Sequence, residues 1–186
     1  MNEWYLKDCS NKIKATKRSM GNAGVHLTVL PPYGYRKDPE DKHKWVVDEE
    51  AADVVRLIYQ LCIEGKGGAQ IARILQEREI ETPAYYAARN GEGRYKNSIE
   101  SLEPYKWNTG TIKAILKRPE YLGYTVNFRT SSKSYKEHKN IINSPDKWAV
   151  FEGTQEPIVD LYTYQLVQKL IGTPRRVNDL GEANPL

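Results

Sequence analysis

A strict helical repeat between residues 48 and 65 constrains the fold more than any other stretch. Ala51, Val54, Val55, Ile58, Leu61 and Cys62 recur at i, i+3, i+4, i+7, i+10 and i+11, a spacing that lays them along one stripe of an α-helix. Asp48 stands at the N-cap position, and Glu49 and Glu50 fill the first turn, where the helix dipole favours anions. Gly65 ends the segment. A stripe this apolar needs partners. The first comes after the turn at residues 65–68, where Ile71, Ile74 and Leu75 share a face of a second helix. Ile80 and Thr82-Pro83 then close the unit.

A third helix is predicted within WNTGTIKAILKRPEYLGY, residues 107–124. Asn108 is a good N-cap, Ile112, Ile115 and Leu116 form its buried stripe, and Pro119 stops it. Opposite the stripe lie Gly110, Ala114 and Lys117, flanked by Thr111 and Lys113. Small, hydroxyl and cationic side chains suit a face that enters a DNA major groove: the backbone approaches closely, hydroxyls reach bases or phosphates, and lysines neutralise phosphate. An ordinary surface helix with solvated lysines has the same pattern, so the context has to decide. Two helices joined by a glycine turn, with a third presented outward, is a helix-turn-helix arrangement.

Charge is distributed unevenly. The net is only +4. Residues 38–64 carry eight acids against three Lys or Arg, whereas residues 106–147 carry nine Lys or Arg against three acids. That asymmetry fits an electrostatically oriented DNA binder, and solvated faces would give it too. No run approaches the roughly 18 apolar residues of a membrane span, and no signal peptide is read at the start. Cys9 and Cys62 form no CxxC pair, and His26, His43 and His138 add no metal-ligand spacing, so neither a zinc site nor a cofactor is expected. A reducing, cytoplasmic setting is expected.

Residues 1–20 have helix-compatible composition, with Lys7, Lys12, Lys14, Lys17 and Arg18 gathered toward the end; Trp4, Tyr5 and Ile13 are too few for a core stripe. This reads as the tail of a helix whose other contacts are made elsewhere, ended by Gly21 and Gly24. Val25, Leu27 and Val29 alternate as a short extended piece. PPYGY at 31–35 implies a fixed turn, and with Arg36 and Lys37 after it that turn would lie against a phosphate backbone; a rigid linker packing two tyrosines on a domain is the alternative. Trp45, Val46 and Val47 read as a strand. Residues 84–104 show no apolar periodicity and read as a long loop, either a disordered insertion or one facing nucleic acid through Arg89, Arg94 and Lys96 among tyrosines. Leu122, Tyr124, Val126 and Phe128 alternate as a strand, Arg129 to Lys139 form a basic loop that includes Lys133, and Trp148, Val150 and Phe151 suggest a partner strand. Asp160 opens a last helix with Leu161, Tyr164, Leu166, Val167 and Leu170. The tail from Thr173 to Leu186 is expected to be loose.

In this order PPYGY, the Ala51–Gly65 helix, QIARILQEREIETP at 70–83, WNTGTIKAILKRPEYLGY and PIVDLYTYQLVQKL at 157–170 resemble the recombinase domain of large serine recombinases, which excise or integrate mobile elements. The likeness runs from about residue 8 to 176. It implies a DNA-binding module that follows a resolvase-type catalytic domain, with the catalytic serine and its arginines in that preceding domain, outside this sequence. By the same resemblance Lys12, Lys14, Lys17 and Arg18 contact phosphates on the distal part of a linking helix. The PPYGY segment, with Tyr33, belongs to a linker along the minor groove, and the helix from Asn108 reads the major groove. Residues 84–104 are longer than the connection often seen in the family.

The expected fold is α+β, mainly α: a helix-turn-helix-like helical core with a small antiparallel β element. Residues 1–24 are expected to be the linking helix, 25–172 the DNA-binding domain and 173–186 a tail. Candidate contacts to double-stranded DNA are Lys12, Lys14, Lys17, Arg18, Tyr33, Arg36, Lys37, Asn108, Thr109, Thr111, Lys113, Lys117, Arg129 and Lys133. Thr109, Thr111 and Lys113 would supply discrimination. The resemblance implies that the full-length protein acts as a dimer or tetramer on DNA, and no membrane partner is expected. Two other function classes make different demands on the sequence. An enzyme needs an activated nucleophile, and the serines and tyrosines here have no recognisable partner pattern. A protein-interaction or regulatory helix-turn-helix module would show an exposed apolar patch in place of a basic one.

Overall fold

The computed structural model describes residues 3–28, 30–132 and 140–172. In chain order the elements are α1 (Glu3–Asn22), β1 (Tyr35–Lys37), β2 (Trp45–Val47), α2 (Glu49–Ile63), α3 (Gly68–Glu77), α4 (Pro83–Arg89), α5 (Thr109–Leu116), β3 (Thr125–Asn127), β4 (Thr130–Ser132), β5 (Asn140–Ile142), β6 (Ala149–Phe151) and α6 (Leu161–Gly172). Short 3-10 turns at 99–101, 119–122 and 145–147 punctuate the connections. The fold is α+β and mainly α. Among the described residues no helix is long and apolar enough to cross a membrane.

The chain divides into two compact units. One comprises residues 48–118 with the segment from Ile158 onward. Its core is made by the predicted stripes: Val55, Ile58 and Cys62 of α2, Ile71 and Leu75 of α3, Ile112, Ile115 and Leu116 of α5, and Val167 of α6 are all buried. The α2–α3 turn closes at Gly65, whose φ of 85° lies in the left-handed region that suits glycine. Asp48 occupies the N-cap of α2 but makes no side-chain cap; its carboxylate instead accepts the Tyr86 hydroxyl at 2.9 and 3.0 Å. Asp160 behaves as expected, taking the Thr163 N–H at 2.9 Å.

The other unit holds residues 1–47 and 119–157. Among its described residues are three separate two-stranded antiparallel ladders, β1–β2, β3–β6 and β4–β5. Its core is aromatic: Tyr35 and Trp45 lie 6.1 Å apart, Tyr35 and Tyr121 6.2 Å, and His26 stacks on Trp45 at 3.6 Å. The turn before β1 is fixed by hydroxyls, Tyr121 donating to the Tyr33 carbonyl (2.8 Å) and Tyr35 to that of Glu156 (2.7 Å).

Four expectations are corrected. Residues 84–104 are not a featureless loop, because Pro83 at the first helical position and Thr82 capping the Tyr85 N–H start α4 there. The second correction concerns the basic stretch after Phe128, which is not all loop: residues 130–132 pair with 140–142. Residues 25–28 join no ladder; Asn127 takes their hydrogen bonds with its side chain, from the Leu27 N–H and to the Val25 carbonyl. The strand near Val126 spans only 125–127, and all three residues are buried, in place of the expected alternation. Val29, Lys133 and the tail at 173–186 lie outside the described residues.

Candidate nucleic-acid interface

Within the helical unit, α5 is held at both ends. At its start the Asn108 side chain accepts the Thr111 N–H at 2.8 Å. Trp107, buried one residue earlier, donates its indole N–H to the Ile80 carbonyl at 2.8 Å. The Thr109 methyl faces the first residue of α3, so that a Cβ placed on Gly68 would meet it at 2.9 Å. The last carbonyls of a helix have no partner inside it; here other side chains supply them. Leu116 accepts from the Tyr59 hydroxyl (3.2 Å) and the Gln168 amide (2.7 Å), and Lys117 from the Tyr164 hydroxyl (3.3 Å).

What α5 leaves open is the face opposite its stripe. Asn108, Gly110, Lys113, Ala114 and Lys117 are exposed, and Thr109 and Thr111 half-buried. Among the described residues neither Lys113 nor Lys117 has an ion-pair partner. Beside the first turn opens a cleft of about 380 Å³, lined by Thr82, Ser101, Glu103, Lys106, Asn108 and Thr111 among others. Segment 83–106 forms its far wall, with Lys106 paired to Glu103 at its rim. That wall is tied to α2 through Tyr86 on Asp48 and Arg89 on Glu50 (2.9 Å). Burial, then the Asp48 hydrogen bond and the nearby carboxylates, push the Tyr86 hydroxyl up to about 12.

The remaining candidates belong to the other unit. Lys12, Lys14, Lys17 and Arg18 are exposed on α1. Lys12 is already paired with Asp8 at 2.8 Å, which raises its pKa, whereas Lys14, Lys17 and Arg18 have no such partner among the described residues. Arg36 is exposed and Lys37 half-buried on β1, while Tyr33 is half-buried with its carbonyl engaged. Arg129 is committed elsewhere: it pairs with the nearly buried Glu120 at 2.7 Å and lies over the Trp148 ring at 5.2 Å.

A family model described as Recombinase matches residues 49–173. The chain belongs to the Recombinase family. Two solved structures share the fold of this recombinase-family chain. One is described as "Crystal Structure of a LSR-DNA Complex", with a TM-score of 0.54 and 18% identity over 90% of this chain and 42% of the other. Another, "Sequence Requirements of the Listeria innocua prophage attP site", gives a TM-score of 0.54 and 20% identity over 90% of this chain and 55% of its counterpart. The chain thus spans about half the length of these neighbours.

The outward and inward faces of α5 follow from apolar spacing alone. Of the residues that fix the helix in place, sequence periodicity marks Tyr164 only as part of the last helix and Gly68 only as part of a turn, and it does not mark Tyr59 or Gln168 at all. Their role depends on where α3 and α6 lie, which no local pattern states. Asn127 left a faint signal, since a buried asparagine in a strand needs a reason.

Proposed function

We propose that this chain binds duplex DNA as the recombinase-domain portion of a site-specific serine recombinase, recognising an attachment site of a mobile element. The carrying observation is the face of α5 that is exposed and has no ion pair among the described residues, on a helix whose other side is locked into the core. Gly110 and Ala114 let the backbone approach base edges, Thr111 and Lys113 make the discriminating contacts, and Lys117 meets phosphate. Asn108 and Thr109 serve mainly to hold the helix start. Lys14, Lys17 and Arg18 supply sequence-independent affinity from α1, with Arg36 and Lys37 on the segment after PPYGY. Arg129 drops out of the contact set, its charge being spent on Glu120.

In this reading residues 1–24 are the distal part of a linking helix and 25–172 the DNA-binding region. Strand cleavage is supplied by a catalytic region outside these residues, and the whole recombinase works as a dimer or tetramer on DNA in the cytoplasm. The exposed Tyr5 and Leu6 at the start of α1 support a packing partner for that helix.

Fluorescence anisotropy on a duplex from the element's end, against one of shuffled sequence, tests the reading. Affinity should fall steeply from low to moderate salt. Thr111→Ala or Lys113→Ala should cost the cognate duplex about 1–3 kcal/mol and the shuffled one less. Salt-independent binding, or none, would refute the proposal.

A further inference from the structure

The β4–β5 ladder stands apart from every core described above. All six of its residues are exposed, and a lone two-stranded hairpin is marginal in water. Its root, by contrast, is firmly built. Asn143 donates its backbone N–H to the Arg129 carbonyl (2.8 Å) and its side-chain amide to that of Phe128 (2.7 Å). The same residue accepts from the Ser131 hydroxyl (2.9 Å) and the Trp148 indole (3.0 Å). Phe128 itself adopts a φ of 61°, a conformation that a bulky residue takes only when its surroundings impose it.

The root also meets the basic end of α1. The Phe128 ring packs over Gly21, where any Cβ would collide with it, and the Asn127 amide donates to the Gly21 carbonyl at 3.1 Å. Lys17 and Arg18 lie four and three residues before Gly21, so they share the helix face that receives Phe128. A polyanion held by those two side chains would therefore run past the hairpin root.

We propose that the β4–β5 hairpin is a ribbon that lies against duplex DNA beside Lys17 and Arg18. This rests on the DNA-binding reading above and adds a second element to it. The cross-strand pairs Thr130–Ile142 and Ser132–Asn140 put all four side chains on one face. The Thr130 hydroxyl and the Asn140 amide there reach phosphates or base edges, and Ile142, 82% exposed, suits a thymine methyl. Among the described residues of the ladder none is acidic, so none repels phosphate. The major groove admits a two-stranded ribbon. A protein partner would call for more than the single apolar side chain this face offers.

The test uses the full 186-residue chain and a short duplex of mixed sequence at low salt. Thr130→Glu with Asn140→Glu should weaken binding about tenfold, and Thr130→Lys with Asn140→Lys should tighten it several-fold. Opposite signs at the same two exposed positions cannot come from misfolding. If both pairs bind like the parent while Lys17→Ala still weakens binding, the hairpin proposal fails and the DNA reading stands. If the parent itself retains no duplex, both fall. If Ile142→Ser disperses a self-associated species and leaves DNA affinity unchanged, the ribbon is a protein contact and the proposal is overturned.

Discussion

Arg129 sits in a lysine-rich stretch, yet its guanidinium lies 2.7 Å from the Glu120 carboxylate and over the Trp148 ring. Glu120 is nearly buried, so removing its cation leaves a carboxylate that water reaches poorly. Arg129→Ala should therefore cost about 2 kcal/mol in urea unfolding, less than a fully buried pair because the arginine is a third exposed. The salt dependence of DNA binding should not change. His26 offers a second residue-scale check. Burial against Trp45 lowers its pKa to about 4 from 6.5, weakly opposed by a hydrogen bond with Gln155. Between those values the unfolded chain binds the proton and the fold does not, so stability rises with pH there. Its contribution is complete above about pH 6.5 and is lost as pH falls to about 4. Melting temperatures over that range should drop in the parent and drop less in His26→Phe, which keeps the ring stack. Neither partner was legible in the sequence: Glu120 and Trp148 stand nine and nineteen residues from Arg129, and Trp45 nineteen from His26. Local spacing carries no information about side chains brought together from separate segments of the chain.

At the scale of elements, helix spacing served well wherever a stripe was long. The α2 and α5 faces, the stop before Pro119 and the Asp160 start all appear as the apolar period and cap chemistry require. Short elements escaped, because α4 and the β4–β5 strands depend on a capping threonine, a first-position proline and an asparagine root more than on apolar period. How α3 and α5 fit can be tested directly. Gly68→Ala should push a Cβ against the Thr109 methyl, 2.9 Å away, and Thr is stiff at χ1. The expected loss is about 1 kcal/mol of stability, read by urea denaturation, with Thr109→Ser restoring most of it.

For the molecule as a whole, the polypeptide passes between its two units at residues 47/48, 118/119 and 157/158. Hydrogen exchange should follow the burial of each element, slowest for amides of α2, α3 and α5 and fastest for β4 and β5. Uniform protection across the chain would contradict this. Because proposed phosphate contacts sit on both units, Lys17→Ala and Lys117→Ala should each lower the salt slope of DNA binding by about one. One consequence follows from the way α5 is clamped by Asn108 at its front and by Tyr59, Tyr164 and Gln168 behind. A rod so tightly bolted has no freedom to tilt or slide toward an unfamiliar sequence. New targets would be acquired by exchanging the outward residues Gly110, Thr111, Lys113, Ala114 and Lys117 while the scaffold stays untouched, which makes those five positions the natural ones to randomise when retargeting is sought.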